Sequence, residues 1–191
     1  NRERDKDDLI EKQHAQILLL EAQVAELRAA LNPTRESSHE KARKAEQFIA
    51  ELLGCEFAPH VARHDLLAVK SGIKFEVKFS SLTYPKGRTS SIRYWLWTAI
   101  FGEKDGKIFD HLILVGQSDS EYREIYVEPD SPFVLFDLSY SETLSFLNNH
   151  GDIQLNTNPN GLRKPVFKLL YKEHQITRNQ LCLRYRDDSR E

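Results

Sequence analysis

Two cysteines in 191 residues, Cys55 and Cys182, are too few and too far apart to build a disulfide scaffold or a metal cluster. They point to reducing surroundings and a cytoplasmic location. No apolar run approaches the roughly 20 residues that cross a bilayer, and no signal-peptide pattern is visible, so no membrane partner is expected. None of the seven histidines forms H-E-x-x-H or a comparable pair, which leaves zinc chemistry without support. Methionine is absent altogether, the initiator included, as expected of a trimmed chain. What remains is ordinary for a soluble globular protein, 40% hydrophobic and 29% charged, enough for one core and a helical arm.

A net charge of −2 excludes a uniformly basic coat, yet the charges are segregated. Residues 70–107 carry eight Lys or Arg against three Asp or Glu, and residues 161–191 carry eight against four. Between them, residues 108–160 hold a single basic residue, Arg123, against nine acidic ones. If the two basic segments share a face, they form a phosphate-binding surface with the acidic segment turned away. Ordinary solvated charge is the alternative.

The densest chemistry lies in Phe75-Glu76-Val77-Lys78-Phe79. Ile73, Phe75, Val77 and Phe79 alternate with Lys74, Glu76, Lys78 and Ser80, so the segment reads as a strand with one apolar and one polar face. Glu76 and Lys78 are then neighbours on the polar face. A surface ion pair of little consequence is the plain reading, since about 0.7 E-x-K tripeptides arise by chance in a chain of this length. Context adds to it. Val61–Val69 reads as a strand, Ser71-Gly72 as a tight turn and Ile73–Ser80 as the returning strand of a hairpin, which brings Asp65 toward Glu76. Asp65 shares strand parity with Leu67 and Val69, so reaching Glu76 requires the strand to start or bulge near it. Two carboxylates placed together repel unless a cation intervenes. Mg²⁺, with Mn²⁺ able to substitute, suits Asp65, Glu76 and the carbonyl of Val77, with Lys78 beside the bound water.

These residues resemble the PD-(D/E)xK nuclease superfamily, the fold of type II restriction endonucleases: Asp65, ten intervening residues, then Glu76-Val77-Lys78, with His64 where the family name has proline. The resemblance covers 37–116 and implies an α/β (α+β) restriction-endonuclease-like mixed sheet flanked by helices. It also implies a further glutamate from the preceding helix. Ser37–Gly54 supplies such a helix, opened by a Ser37-Ser38-His39-Glu40 capping box and stopped by Gly54. Ala42, Ala45, Phe48, Ile49, Leu52 and Leu53 form its buried stripe, while Lys41, Lys44, Gln47 and Glu51 follow the wet side. Glu46, at the border of the stripe, is preferred to Glu51 as the helix carboxylate.

Ile92, Trp95, Leu96, Ala99 and Ile100 recur at helical spacing, with Ser90 or Ser91 as cap, and predict a helix; a strand over Arg93–Thr98 also fits. Trp95 falls on the core stripe and Trp97 toward the surface. Phe109–Gly116 is an apolar strand expected beside the hairpin. Candidate DNA contacts are Lys86 and Arg88 in the loop 83–90, Arg93, and Asn158, Arg163 and Lys164, although the run Asn156–Gly161 reads first as a turn. Asp105-Gly106-Lys107 reads as a turn as well.

At the N-terminus Ile10, Ile17, Val24 and Leu31 repeat every seven residues, with Gln13, Leu20 and Leu27 three further on. This a/d seam, β-branched at a and leucine at d, favours a parallel two-stranded coiled coil. Leu18 and Leu19 lie outside it, and a helix folded on its own subunit is the alternative. Asn32-Pro33 closes the helix, dividing the chain into an arm over 1–31 and a nuclease-like domain over 37–191. The combined expectation is a Mg²⁺-dependent endonuclease acting on double-stranded DNA, of restriction type and homodimeric through the arm. A repair or junction-resolving nuclease of the same superfamily, or a non-catalytic dimeric DNA-binding or adaptor protein, stands as the alternative.

Overall fold

The computed structural model describes residues 17, 20, 37–85, 92–102 and 106–186. Of the N-terminal seam, Ile17 and Leu20 are described; both are helical and 52% exposed, and the other heptad positions lie outside the described residues.

Helix α1 (Ser38–Leu53) turns Ala45, Ile49, Ala50 and Leu53 inward, as its periodicity predicts. It stops at Gly54, whose φ of +67° is the left-handed value that glycine adopts without penalty. The Cys55 N–H then bonds the Ala50 carbonyl at 3.0 Å, the long bond of a Schellman stop. Two short strands follow, β1 (Glu56–Phe57) and β2 (Leu66–Leu67), and then the longer β3 (Lys74–Ser80). The expected strand Val61–Val69 is therefore reduced to its middle. Pro59 starts a turn closed by Ala62 N–H on the Pro59 carbonyl, and Val61 is 90% exposed with no ladder to join. The turn into β3 forms as predicted, with Gly72 at φ +74°.

Strands β5 (His111–Gln117), β6 (Phe133–Ser139) and β8 (Gln175–Ile176) complete a six-stranded mixed sheet in the order β1-β2-β3-β5-β6-β8. The β3–β5 pair is parallel and the other neighbours antiparallel. Strands β5 and β6 are apolar almost throughout because both faces are covered. On one face Phe75, Val77, Ile113, Val115 and Leu135 pack against α1 and against Leu181 of α4 (Arg178–Tyr185), whose start is fixed by a Thr177/Gln180 capping box. Two further helices, α2 (Tyr140–Thr143) and α3 (Pro165–Leu169), the latter running on as a π-turn to His174, lie between the later strands.

The opposite face carries Leu112, Leu114, Phe136 and Leu138 and is covered by a second, two-stranded antiparallel sheet of β4 (Tyr94–Trp97) and β7 (Ile153–Asn156). The predicted helix over 92–100 is thus a strand; its proposed caps Ser90 and Ser91 lie outside the described residues. Alternation explains the outcome. Trp95 and Trp97 are both fully buried while Tyr94 and Leu96 are only partly so, a two-residue period that a helix cannot produce, and aromatic residues suit a pleated surface. Trp97, expected toward the surface, is therefore core. The indole N–H groups of Trp95 and Trp97 donate to the carbonyls of Gln117 (2.9 Å) and Val115 (3.2 Å), fastening the small sheet to β5.

Between those carbonyls sits Gly116, where an added Cβ would lie 2.6 Å from the Trp95 ring. Gly116→Ala is expected to destabilise the domain by about 1–3 kcal/mol, because the indole cannot yield without losing its hydrogen bond. Urea or thermal denaturation measures this, and an unchanged midpoint would contradict the packing described.

Candidate functional site

Four stretches of chain converge at the β2–β3 edge of the large sheet. Strand β3 supplies Glu76 and Lys78, in register with Leu112 and Leu114 of β5, so both side chains leave on the face that the small sheet covers. Glu76 is 1% exposed. Asp65 immediately precedes β2, so the strand start that its parity required is present, and Leu66 and Ala68 take the buried positions while Val69 is exposed. Because β2 pairs with β3 only at Phe75 and Lys74, the Val77 N–H lies beyond the ladder, and Asp65 Oδ2 accepts it at 2.9 Å. The Val77 carbonyl leaves the strand on that same edge.

Lys107, from the loop before β5, closes the group. Its Nζ lies 3.3 Å from Asp65 Oδ1 and 3.1 Å from Glu76 Oε2, while Lys78 Nζ lies 3.2 Å from Glu76 Oε1. Lys107 Nζ and Asp65 Oδ1 also make a hydrogen bond. Both Glu76 oxygens, by contrast, are within ion-pair distance of an ammonium yet have no well-formed hydrogen bond. The charges perturb one another. Burial, then the charge of Asp65, raises the Glu76 carboxyl to about 7 against the opposing pull of Lys78 and Lys107. Glu46 on α1 responds to the same cluster: burial and Asp65 raise its pKa, while Lys107 and Lys78 pull it back. Glu51 is instead exposed and accepts from Gln47 on the outer side of α1. Lys107 loses basicity to burial but regains more from Asp65 and Glu76, so its ammonium is held above the usual range. His64 is pushed below its ordinary value by burial and by Lys74.

Lys107 is the residue that sequence reasoning missed, having placed it in a turn. The signal available was its position just ahead of the apolar strand that pairs with β3.

The donor set fits a hard divalent cation. Asp65 and Glu76 offer anionic oxygens, and Asp65 Oδ1 and both Glu76 oxygens are held by lysine ammoniums rather than by backbone donors. Among the described residues no group of three or more His, Cys, Asp or Glu forms a preassembled cage. Magnesium does not require one, since one or two carboxylates with waters and phosphate oxygens suffice.

The proposed DNA contacts lie apart from this cluster in kind. Arg93 commits its guanidinium to buried Asp119 and to Glu121, which raise its pKa, and is 13% exposed. Arg163 and Lys164 line an open groove of about 690 Å³ with Tyr94, Gln154, Asn156 and Phe167. Asn158 forms a turn, its side chain accepting the Asn160 N–H. Lys86 and Arg88 lie outside the described residues. No protein-family model matches this chain, and no curated protein matches it either.

The Glu76 shift has a measurable consequence in ion-free buffer. Between the ordinary glutamate value of 4.5 and about 7 the folded protein binds a proton that the unfolded chain has released, so this group's contribution to stability falls as pH rises through that window. At about 1.4 kcal/mol per pKa unit the loss is on the order of 3 kcal/mol. Glu76→Gln should therefore gain stability over the native chain at pH 8 and lose most of that advantage at pH 5, in chelator. Equal differences at the two pH values would show that the carboxyl is not strained.

Proposed function

We propose that this chain is a Mg²⁺-dependent DNA endonuclease of the PD-(D/E)xK kind, acting as a dimer. The observation that carries the reading is the convergence of Asp65, Glu76 and Lys78, with Glu76 buried among ammonium groups on a strand edge. Asp65 Oδ1, Glu76 and the Val77 carbonyl would hold the ion, which when bound lowers the pKa of its water and neutralises charge on a phosphoryl oxygen. Lys78 is fixed by Glu76 yet 23% exposed, so its ammonium is placed to orient a water and to offset the negative charge that grows on the phosphate. Glu46, with its raised pKa, suits a carboxylate that accepts a proton from such a water. Arg163 and Lys164 at their groove supply cationic contacts for the DNA backbone.

Half-exposed Ile17 and Leu20, an a and a d position of the seam, support a dimer through the arm, and a two-fold pair of sites suits cutting both strands of a symmetric duplex. Restriction and repair enzymes share this chemistry; sequence-phased ends from a mixed duplex library indicate the former and structure-dependent cuts the latter.

A specific observation favours a second reading: Lys78 and Lys107 already balance Glu76 and Asp65, as they would in a non-catalytic DNA-binding or adaptor protein. Cleavage separates the two. Glu76→Ala and Lys78→Ala should each lower Mg²⁺-dependent cleavage of duplex DNA by about 10²-fold or more while the circular dichroism spectrum and oligomeric state persist. Full cleavage by Lys78→Ala would sink the assignment.

A further inference from the structure

We infer that Lys107 is an exchangeable counter-ion of the carboxylate pair, holding Asp65 and Glu76 together in the ion-free protein and releasing their oxygens when a divalent cation binds. The inference rests on the reading of the site as a divalent-ion centre and names how that centre is loaded.

The allocation of oxygens carries it. Asp65 Oδ2 is committed to the Val77 N–H, so Oδ1 is the oxygen left for a cation, and that is the atom Lys107 holds at 3.3 Å. Glu76 presents Oε1 to Lys78 and Oε2 to Lys107. Among the described residues, Lys107 is the ammonium in ion-pair contact with both carboxylates. An ion that binds Asp65 Oδ1 and Glu76 Oε2 therefore competes with Lys107 and leaves the Lys78 contact intact.

Charge balance points the same way. Asp65 and Glu76 facing two ammoniums are neutral, and adding a divalent ion would leave an excess of positive charge in a part-buried place, offset only in part by Glu46, unless a lysine departs. Lys78 sits within β3, whereas Lys107 reaches in from a loop on a rotatable four-carbon stem, its side chain 26% exposed. Lys78 has a similar stem and is 23% exposed, so the choice falls to the bridging contact: the departure of Lys107 frees an oxygen of each carboxylate at once.

Calorimetric titration of the whole ion-free protein with Mn²⁺ at pH 8, without DNA, tests this. Lys107→Met should bind Mn²⁺ about tenfold more tightly than the native protein, because a competitor and a unit positive charge are gone. Lys107→Arg should stay near the native affinity, and Glu76→Gln should bind weakly. A measurement that needs no variant is lysine side-chain NMR: Mg²⁺ should move the Lys107 signal toward that of a solvated lysine and leave Lys78 shifted far less. Native binding with equal or weaker affinity in Lys107→Met, or an unmoved Lys107 signal at saturation, overturns the exchange alone. No Mn²⁺ binding by either protein, with or without DNA, overturns the divalent-ion centre and the exchange with it.

Discussion

Burying the charge of Glu76 is the constraint around which this end of the molecule is arranged. The parallel register sets Glu76 beside Leu112, on a face that is apolar from Leu114 to Phe136 and roofed by Trp95 and Trp97. A carboxylate there is destabilising unless cations reach it. Lys78 does so from two residues along the same strand. Lys107 does so from a loop whose path is fixed by its own N–H on the Phe101 carbonyl and by Ile108 N–H on the Arg63 carbonyl. The second bond draws the loop against the segment that delivers Asp65. Carboxylate and countercharge thus come from neighbouring turns, and each holds the other in place. Buried ion pairs are weak contributors to stability, and an apolar residue at Glu76 would pack at lower cost.

The two faces of the sheet divide the work. The face under α1 and α4 is a conventional apolar interface. The other face is stabilised by aromatic packing and by directional bonds, including the two indole N–H groups and the buried Asp119, which joins Arg93 to Thr157. Asp137, late in β6, gathers His111, Tyr185 and Arg184, and so ties α4 to the start of β5, next to the register partner of Glu76. The strand edge carrying the carboxylates is therefore supported from both sides by rigid elements, as a preorganised site requires.

The sequence made β3 legible because period-two alternation is local, and α1 because its apolar stripe and Gly54 are local too. The register of Asp65 could be posed as a condition, a strand start near it, though not decided. What was illegible depended on tertiary partners. Trp95, Leu96, Ala99 and Ile100 satisfy a helical period as well as a strand, and the choice was made by β7 and by the space over Gly116, which no window of sequence contains. Val61 and Arg63 do not extend β2, because Pro59 to Ala62 is a turn, the Arg63 carbonyl is taken by the Ile108 N–H, and the Asp65 side chain occupies the Val77 N–H that a longer ladder would use. Lys107, 42 residues from Asp65 along the chain, looks like any lysine in a glycine-flanked turn until the loop is folded back.

The two lysines are chemically alike and mechanically different, and that difference orders the site. Lys78 has its backbone fixed by the ladder between β3 and β5, and its ammonium holds Glu76 Oε1 alone. Lys107 follows Gly106, at φ +63°, and its stem packs over Gly102, at φ +70°. From there its ammonium bridges Asp65 Oδ1 and Glu76 Oε2. On the proposed reading the bridging ammonium is the one that a divalent cation replaces, since it alone among the described ammoniums holds an oxygen of each carboxylate. A buried carboxylate held by one lysine of its own strand and one that it shares with Asp65 is balanced as it stands and, on that reading, can still take a cation in place of the shared one.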